Sequence, residues 1–188
     1  MGTSLILALI ILGAGIVIVM MLIGIYNGLQ RKRIAADTSW ADVDVQLKRR
    51  YDLIPNLVNT VKGYAAHEKG TLEAVISARQ RAIDAKTVAD QAQAENMLTQ
   101  TLGRLFALSE AYPELKANQN FMALQEELTS TENKIGFSRQ NYNRVVSQYN
   151  EALAVFPSNL IAGMFNFQRR DFFELEDSAQ REAPKVAF

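Results

Sequence analysis

Apolar residues are continuous in the first part of the chain and periodic in the rest. Residues 5–25 are all Leu, Ile, Val, Met, Ala or Gly, and the first charged side chain is Arg31. About 20 apolar residues rising 1.5 Å each match a hydrocarbon layer of about 30 Å. A helix is the single-segment structure that satisfies its own backbone hydrogen bonds there. This stretch is expected to span a membrane. Beyond it, Trp40, Leu47, Ile54 and Val61 recur every seven residues, with Val43, Leu57 and Tyr64 filling the seam and Arg50 as its exception. That pattern predicts a long amphipathic helix. Pro55 falls inside it, but the register passes through undisturbed, which favours one kinked helix over two.

A second seam is stricter. Phe121, Leu128, Ile135, Tyr142, Tyr149 and Phe156 are spaced by seven, accompanied by Leu124, Val145 and Ala152, with Thr131 and Ser138 between. Helices with this repeat pack at shallow angles, as in coiled coils and bundles. Residues 68–111 form a third helical stretch with apolar Leu72, Val75, Ile76, Ile83, Leu98, Leu102, Leu105 and Leu108. Its middle, 82–94, is dominated by Ala, Asp, Gln and Lys, so it is either thinly packed or interrupted by a polar, mobile turn. Breaks are expected at Gly63 and Gly70, at Tyr112-Pro113 and Asn118–Asn120, and at Phe156-Pro157. No segment of useful length alternates with period two, so no strands are expected.

Charge placement orients the span. Arg31, Lys32 and Arg33 follow it and no charge precedes it, so the bulk of the chain is expected in the cytoplasm and the N-terminus outside. The three cations are candidate lipid contacts. A cleaved signal peptide is the competing reading, but a basic leader, a shorter apolar core and an A-x-A-like exit are missing. Ile6 stands where a myristoylation pattern needs Ser or Thr. The organisation is thus an anchor over 1–30, a helical bundle over 31–167 and a charged, partly apolar tail over 168–188.

Composition narrows the chemistry. The 20 Lys and Arg balance 20 Asp and Glu, and no basic patch is interleaved with aromatics, so no nucleic-acid partner is expected. With no Cys and one His, disulfides, thiol catalysis and Cys-based metal sites are excluded. His67-Glu68-Lys69-Gly70-Thr71 lacks the second His of a zinc helix, and no phosphate-binding glycine loop or G-x-S-x-G occurs. No catalytic residue, metal or cofactor is expected.

Two clusters carry alternatives. Lys48-Arg49-Arg50 could meet anionic lipid or the acidic tail. The plainer account is a solvated face with Arg50 snorkelling out of the seam and a Lys48–Asp52 pair, and this is favoured because position 48 lies far up the helix from the membrane. The corner Tyr112, Pro113, Leu115, Lys116, Asn118 and Phe121 mixes aromatic, apolar and amide groups, as a partner-contact tip does. Capping by Asn118 or Asn120 and a Tyr112–Phe121 lid explain it equally.

The string from Trp40 to Val58 (WADVDVQLKRRYDLIPNLV), then Val61-Lys62-Gly63-Tyr64-Ala65, His67-Glu68, Ala111-Tyr112-Pro113-Glu114-Leu115-Lys116-Ala117-Asn118 and Tyr142-Asn143, closely resembles the LemA family of bacterial membrane proteins. The resemblance runs from about residue 26 to about residue 173. It implies an all-α protein, with one N-terminal transmembrane helix followed by an elongated antiparallel bundle of three to four long helices at the inner membrane. It supplies no reaction. Gly24 and Gly28 form a G-x-x-x-G pattern at the exit of the span, and Phe172, Phe173, Leu175 and Phe188 give the tail too few apolar groups for a core of its own. The expectation is a non-enzymatic scaffold or assembly module that self-associates, its tail docked on its own or an adjacent bundle. Its partners would be membrane lipids, further copies of itself and other membrane proteins. The alternative is an accessory subunit that recruits or regulates a separate membrane enzyme or protease.

Overall fold

The computed structural model describes residues 2–174. Among them the chain forms six helices: α1 (Gly2–Lys62), α2 (Lys69–Asp84), α3 (Val88–Ser109), α4 (Pro113–Lys116), α5 (Gln119–Ala154) and α6 (Ser158–Met164). No strand occurs among the described residues, so the all-α class stands. The third helical stretch divides at 85–87, where Thr87 starts α3 by accepting the Asp90 amide at 3.0 Å. Small buried Ala78, Ala82, Ala92 and Ala94 let α2 and α3 approach closely as an antiparallel hairpin, whereas Ile76 and Ile83 are exposed.

Pro55 does not end α1, which continues for seven residues to Lys62. A proline inside a helix has no N–H for the carbonyl four residues earlier, here that of Tyr51. The structure fills that vacancy from α2, where Arg79 Nε donates to the Tyr51 carbonyl at 2.8 Å. The two sites are therefore coupled. Arg79→Met should cost about 1 kcal/mol by orphaning a partly buried acceptor, and clearly less in a Pro55→Ala background, where residue 55 supplies its own amide. Chemical denaturation of the four variants measures this, and additivity of the two changes would refute the coupling.

Two compact units divide the chain. One comprises Met1–Trp40 and Asn141–Arg170, the other Ala41–Gln140 and Asp171–Phe188. In the first, Leu29, Ile161 and Ala162 form a buried cluster with Ile25, Tyr26, Ala152, Leu153 and Phe167 around it. Asn166, at φ 54°, stops α6: the Phe167 amide reaches the Ala162 carbonyl at 2.9 Å and the Asn166 amide that of Gly163 at 3.4 Å. This is a Schellman stop, with Asn in the left-handed position and Phe167 closing the apolar contact. The chain then lies along α5. Tyr149 donates to the Gln168 carbonyl at 3.0 Å, Asn150 exchanges two hydrogen bonds with the Arg170 backbone, and Arg170 pairs with Asp37. The start of the tail thus docks on its own chain, and Phe173 is fully buried. Leu175 and Phe188 lie outside the described residues.

In the second unit the first seam buries Val43, Leu47, Ile54, Leu57 and Val61, and α5 buries Phe121, Leu128 and Ile135. Farther along α5, in the first unit, Tyr142 and Tyr149 keep the spacing. Two ends of the seams depart from expectation. Tyr64 is exposed because α1 has already ended, and Phe156 is 78% exposed because α5 ends at Ala154, before the seventh-residue spacing reaches it.

Candidate functional site

Polar residues converge inside the second unit. Arg50 and Tyr51 project from α1, Gln91, Glu95 and Thr99 from α3, and Glu132 from α5, because residues three and four apart share a helix face. Arg50 Nη1 donates to Glu95 Oε2 at 2.9 Å and to Glu132 Oε2 at 3.0 Å, while Nη2 donates to Thr99 Oγ1 at 2.8 Å. The Tyr51 hydroxyl donates to Glu95 Oε1. Gln91 Nε2 donates to that hydroxyl at 2.7 Å, to the Ala82 carbonyl at 3.1 Å and to Glu95 Oε1 at 3.2 Å. The Arg50 and Glu95 side chains are only 4% and 2% exposed.

Arg50 therefore does not snorkel from the seam. Its head turns inward, because a carboxylate on α3 waits at guanidinium geometry and a second on α5 closes the fork. Burial pushes the Glu95 carboxyl above its ordinary range, against the pull of Arg50 and of the Tyr51 and Gln91 donors. Burial, reinforced by Glu95, likewise pushes the Tyr51 hydroxyl far up, so it remains a donor. Both Glu95 oxygens are occupied by protein donors. What the arrangement can do chemically is hold helices in one register, a use for which buried ionic groups are well suited. The neighbouring groove, about 230 Å³, is lined by Arg50, Leu102, Phe106, Leu128 and Glu132.

The other sequence-level candidates lie elsewhere. Lys48, Arg49 and Asp52 are exposed, and Arg49 pairs with Glu127 on α5. Arg31, Lys32 and Arg33 are exposed on α1. At the corner, Leu115 and Phe121 are buried, the latter edge-on to Phe106 at 6.3 Å. Asn118 caps α5 by accepting the Phe121 amide at 3.0 Å and donates to the Tyr64 hydroxyl at 2.8 Å, while Tyr112 donates to Glu68 at 3.0 Å. The corner thus fastens the turn between α1 and α2. Pro113 and Lys116 are its exposed members. Among the described residues no three His, Cys, Asp or Glu side chains gather as a metal site would require.

Glu95 and Gln91 were not singled out by sequence reasoning. The available signal was Arg50 itself: a cation on a buried seam position calls for a buried anion.

Known proteins give a consistent picture. Magnetosome protein MamQ 2 of Paramagnetospirillum magneticum is 24% identical over 160 residues, covering 71% of this chain and 59% of that protein. Magnetosome protein MamQ of Magnetospirillum gryphiswaldense is 23% identical over 174 residues, covering 79% and 64%. Protein LemA of Metamycoplasma hominis is 22% identical over 157 residues, covering 82% and 71%. The chain thus spans about three-fifths of the length of these MamQ relatives. The model of the LemA family matches residues 39–188, a region that holds both seams and the whole Arg50–Glu95 cluster, and the chain belongs to the LemA family.

Proposed function

We propose that this chain is a membrane-anchored helical scaffold or assembly module that self-associates and performs no catalysis. The observation that carries the reading is the division of α1 into two kinds of surface. Every large apolar side chain from Leu5 through Ile23 is exposed, whereas Val43, Leu47, Ile54, Leu57 and Val61 of the same helix are buried. Among the described residues, α1 is the one helix long and apolar enough to cross a membrane. An apolar surface of that extent is satisfied by lipid and is an aggregation site in water.

Orientation follows from Arg31, Lys32 and Arg33, exposed directly after the apolar stretch: they hold that end, and the helical units, on the cytoplasmic side of a bacterial cell membrane. Gly24 and Gly28 support self-association, since a Cβ added at either would meet nothing within 4 Å beyond its own stretch of helix. That leaves a small-residue face open to a neighbouring span. The magnetosome names of the MamQ relatives denote a cellular body rather than a reaction, which favours assembly over catalysis.

The sequence has no cysteine, so single thiols report cleanly. Gly24→Cys in native membranes should crosslink to a second copy, and the solubilised protein should have a mass that is a multiple of one chain. Val45→Cys should react with an impermeant thiol reagent only after the membrane is opened from the cytoplasmic side. A monomer-only pattern where a control oligomer crosslinks would overturn the scaffold reading. Foreign subunits in fixed proportion would replace it with the accessory-subunit alternative.

A further inference from the structure

The α6 segment combines features that the anchored-bundle reading leaves unused. Residues 152–168 contain no Asp, Glu, Lys or Arg, while Glu151 precedes them and Arg169 and Arg170 follow. A charge-free run of this kind is ordinarily folded into a core. Here Ile161 and Ala162 are buried, yet Phe156 is 78%, Met164 75%, Leu160 58% and Phe165 57% exposed. Leu160 and Met164, one turn apart, share the outward face of α6. Phe156 and Phe165, also exposed, flank α6 in sequence at its two ends.

What covers it is indicated by where α6 is attached. Its buried side packs on Ile25, Tyr26 and Leu29 of α1. Tyr26 is the residue at which the apolar run 5–25 ends, and its ring lies 4.8 Å from that of Phe165 and 5.7 Å from that of Phe167. At 1.5 Å per residue, Leu29 stands about 6 Å beyond Ile25, which is about the depth of one headgroup layer. Aromatic rings concentrate at that level in membrane proteins. Cations flank it on both chain segments: Arg31, Lys32 and Arg33 on α1, and Arg169 after α6, are exposed. An outward apolar face at headgroup depth, with cations just beyond, is the composition of an interfacial membrane contact.

We propose that Phe156, Leu160, Met164 and Phe165 form a second membrane contact, inserted into the lipid interface beside the exit of the span. The occupant of this face is lipid. The assignment rests on the reading of α1 as the span. The Schellman stop at Asn166 and the strapping of 168–170 to Tyr149 and Asn150 fix the depth of the loop, so α1 is held at the surface from its side as well as through the bilayer.

The test uses the full chain in phosphatidylcholine–phosphatidylglycerol vesicles, with an environment-sensitive fluorophore on a single cysteine at Leu160 or Met164, at Val17 in the span, or at Val45, which is 62% exposed on α1. All these positions are exposed, so labelling leaves packing intact. Emission from residues 160 and 164 should be blue-shifted and quenched by brominated lipid, more by bromine near the headgroup than near the chain ends. Val17 should be quenched most by the deeper bromine, and Val45 not at all. With Val17 quenched, a water-like, unquenched signal at 160 and 164 would overturn the proposal. A blue-shifted but unquenched signal would also overturn it, by showing that protein covers the face. An unquenched Val17 would instead remove the span reading on which the proposal stands.

Discussion

Arg50→Met should destabilise the protein by about 3–5 kcal/mol, the cost of leaving one partner of a buried ion pair alone. Glu95 would keep its Tyr51 and Gln91 donors but lose its cation at 2.9 Å, within a site where its side chain is 2% exposed. Removing both charges should be much milder. Arg50→Met with Glu95→Leu substitutes well-packed apolar volume for the pair, a change that is often neutral or stabilising. The single-variant cost should also depend on pH. Without Arg50 the Glu95 carboxyl, already raised by burial, moves further up, and in acid it is neutral in both folded and unfolded chains. The penalty is therefore fully present only above the raised folded-state pKa, and it shrinks as pH falls through that value toward the ordinary carboxylate range. Denaturant titration of the full chain in detergent, followed by circular dichroism, measures all three effects. A single-variant cost under about 1 kcal/mol would mean that the cluster is solvated.

The cluster also shows where sequence patterning stops being informative. The seam through Leu47, Ile54 and Val61 was legible because a buried face repeats with the helix, and Arg50 was visible as its one exception. Its partner was not. Glu95 lies 45 residues away, in a stretch whose Ala, Gln and Asp content resembles weak packing. There the buried Ala82, Ala92 and Ala94 let α2 and α3 close beside Gln91, while Asp84, Lys86, Asp90 and Gln93 of the same stretch are exposed, so composition alone did not separate the two faces. Periodicity reports which side of a helix is covered, not what covers it. A cation among apolar residues is equally compatible with escape to solvent and with an inward pair.

Helix ends gave the other departures. The seven-residue spacing carried the second seam to Phe156, although Pro157 directly follows it and α5 stops at Ala154. With the helix ended two residues earlier, the spacing no longer sets a face, and Phe156 is exposed. At the 112–121 corner, Leu115 and Phe121 turn inward because the short α4 and the Asn118 cap fold the chain back on itself. A mixture of aromatic and amide groups in a loop is the same whether it meets a partner or closes its own bundle. Only the geometry of the cap distinguishes the two for these residues.

Ile135→Asp should unfold or aggregate the protein, and its neighbour supplies the control. Ile135 is 2% exposed on α5, whereas Phe137, two residues on, is 70% exposed. Placing a carboxyl at 135 loses the transfer energy of a buried aliphatic group and adds the cost of an unpaired polar or charged one, together several kcal/mol. That is a large part of the 5–15 kcal/mol typical of a domain. Phe137→Asp removes a larger apolar side chain, yet should change stability by no more than about 0.5 kcal/mol, because its ring already faces out. Ile135→Val, which keeps the site apolar, should cost about 0.5–1.5 kcal/mol. The order of effects runs against side-chain hydrophobicity and with burial, so it tests the seam rather than the general tolerance of α5. Thermal melting of the purified full chain by circular dichroism should show the Ile135→Asp variant with lost helicity or a transition lowered by many degrees. An unchanged melting temperature for that variant would mean that the Phe121–Tyr149 stripe is a surface and that the two helical seams do not form the core.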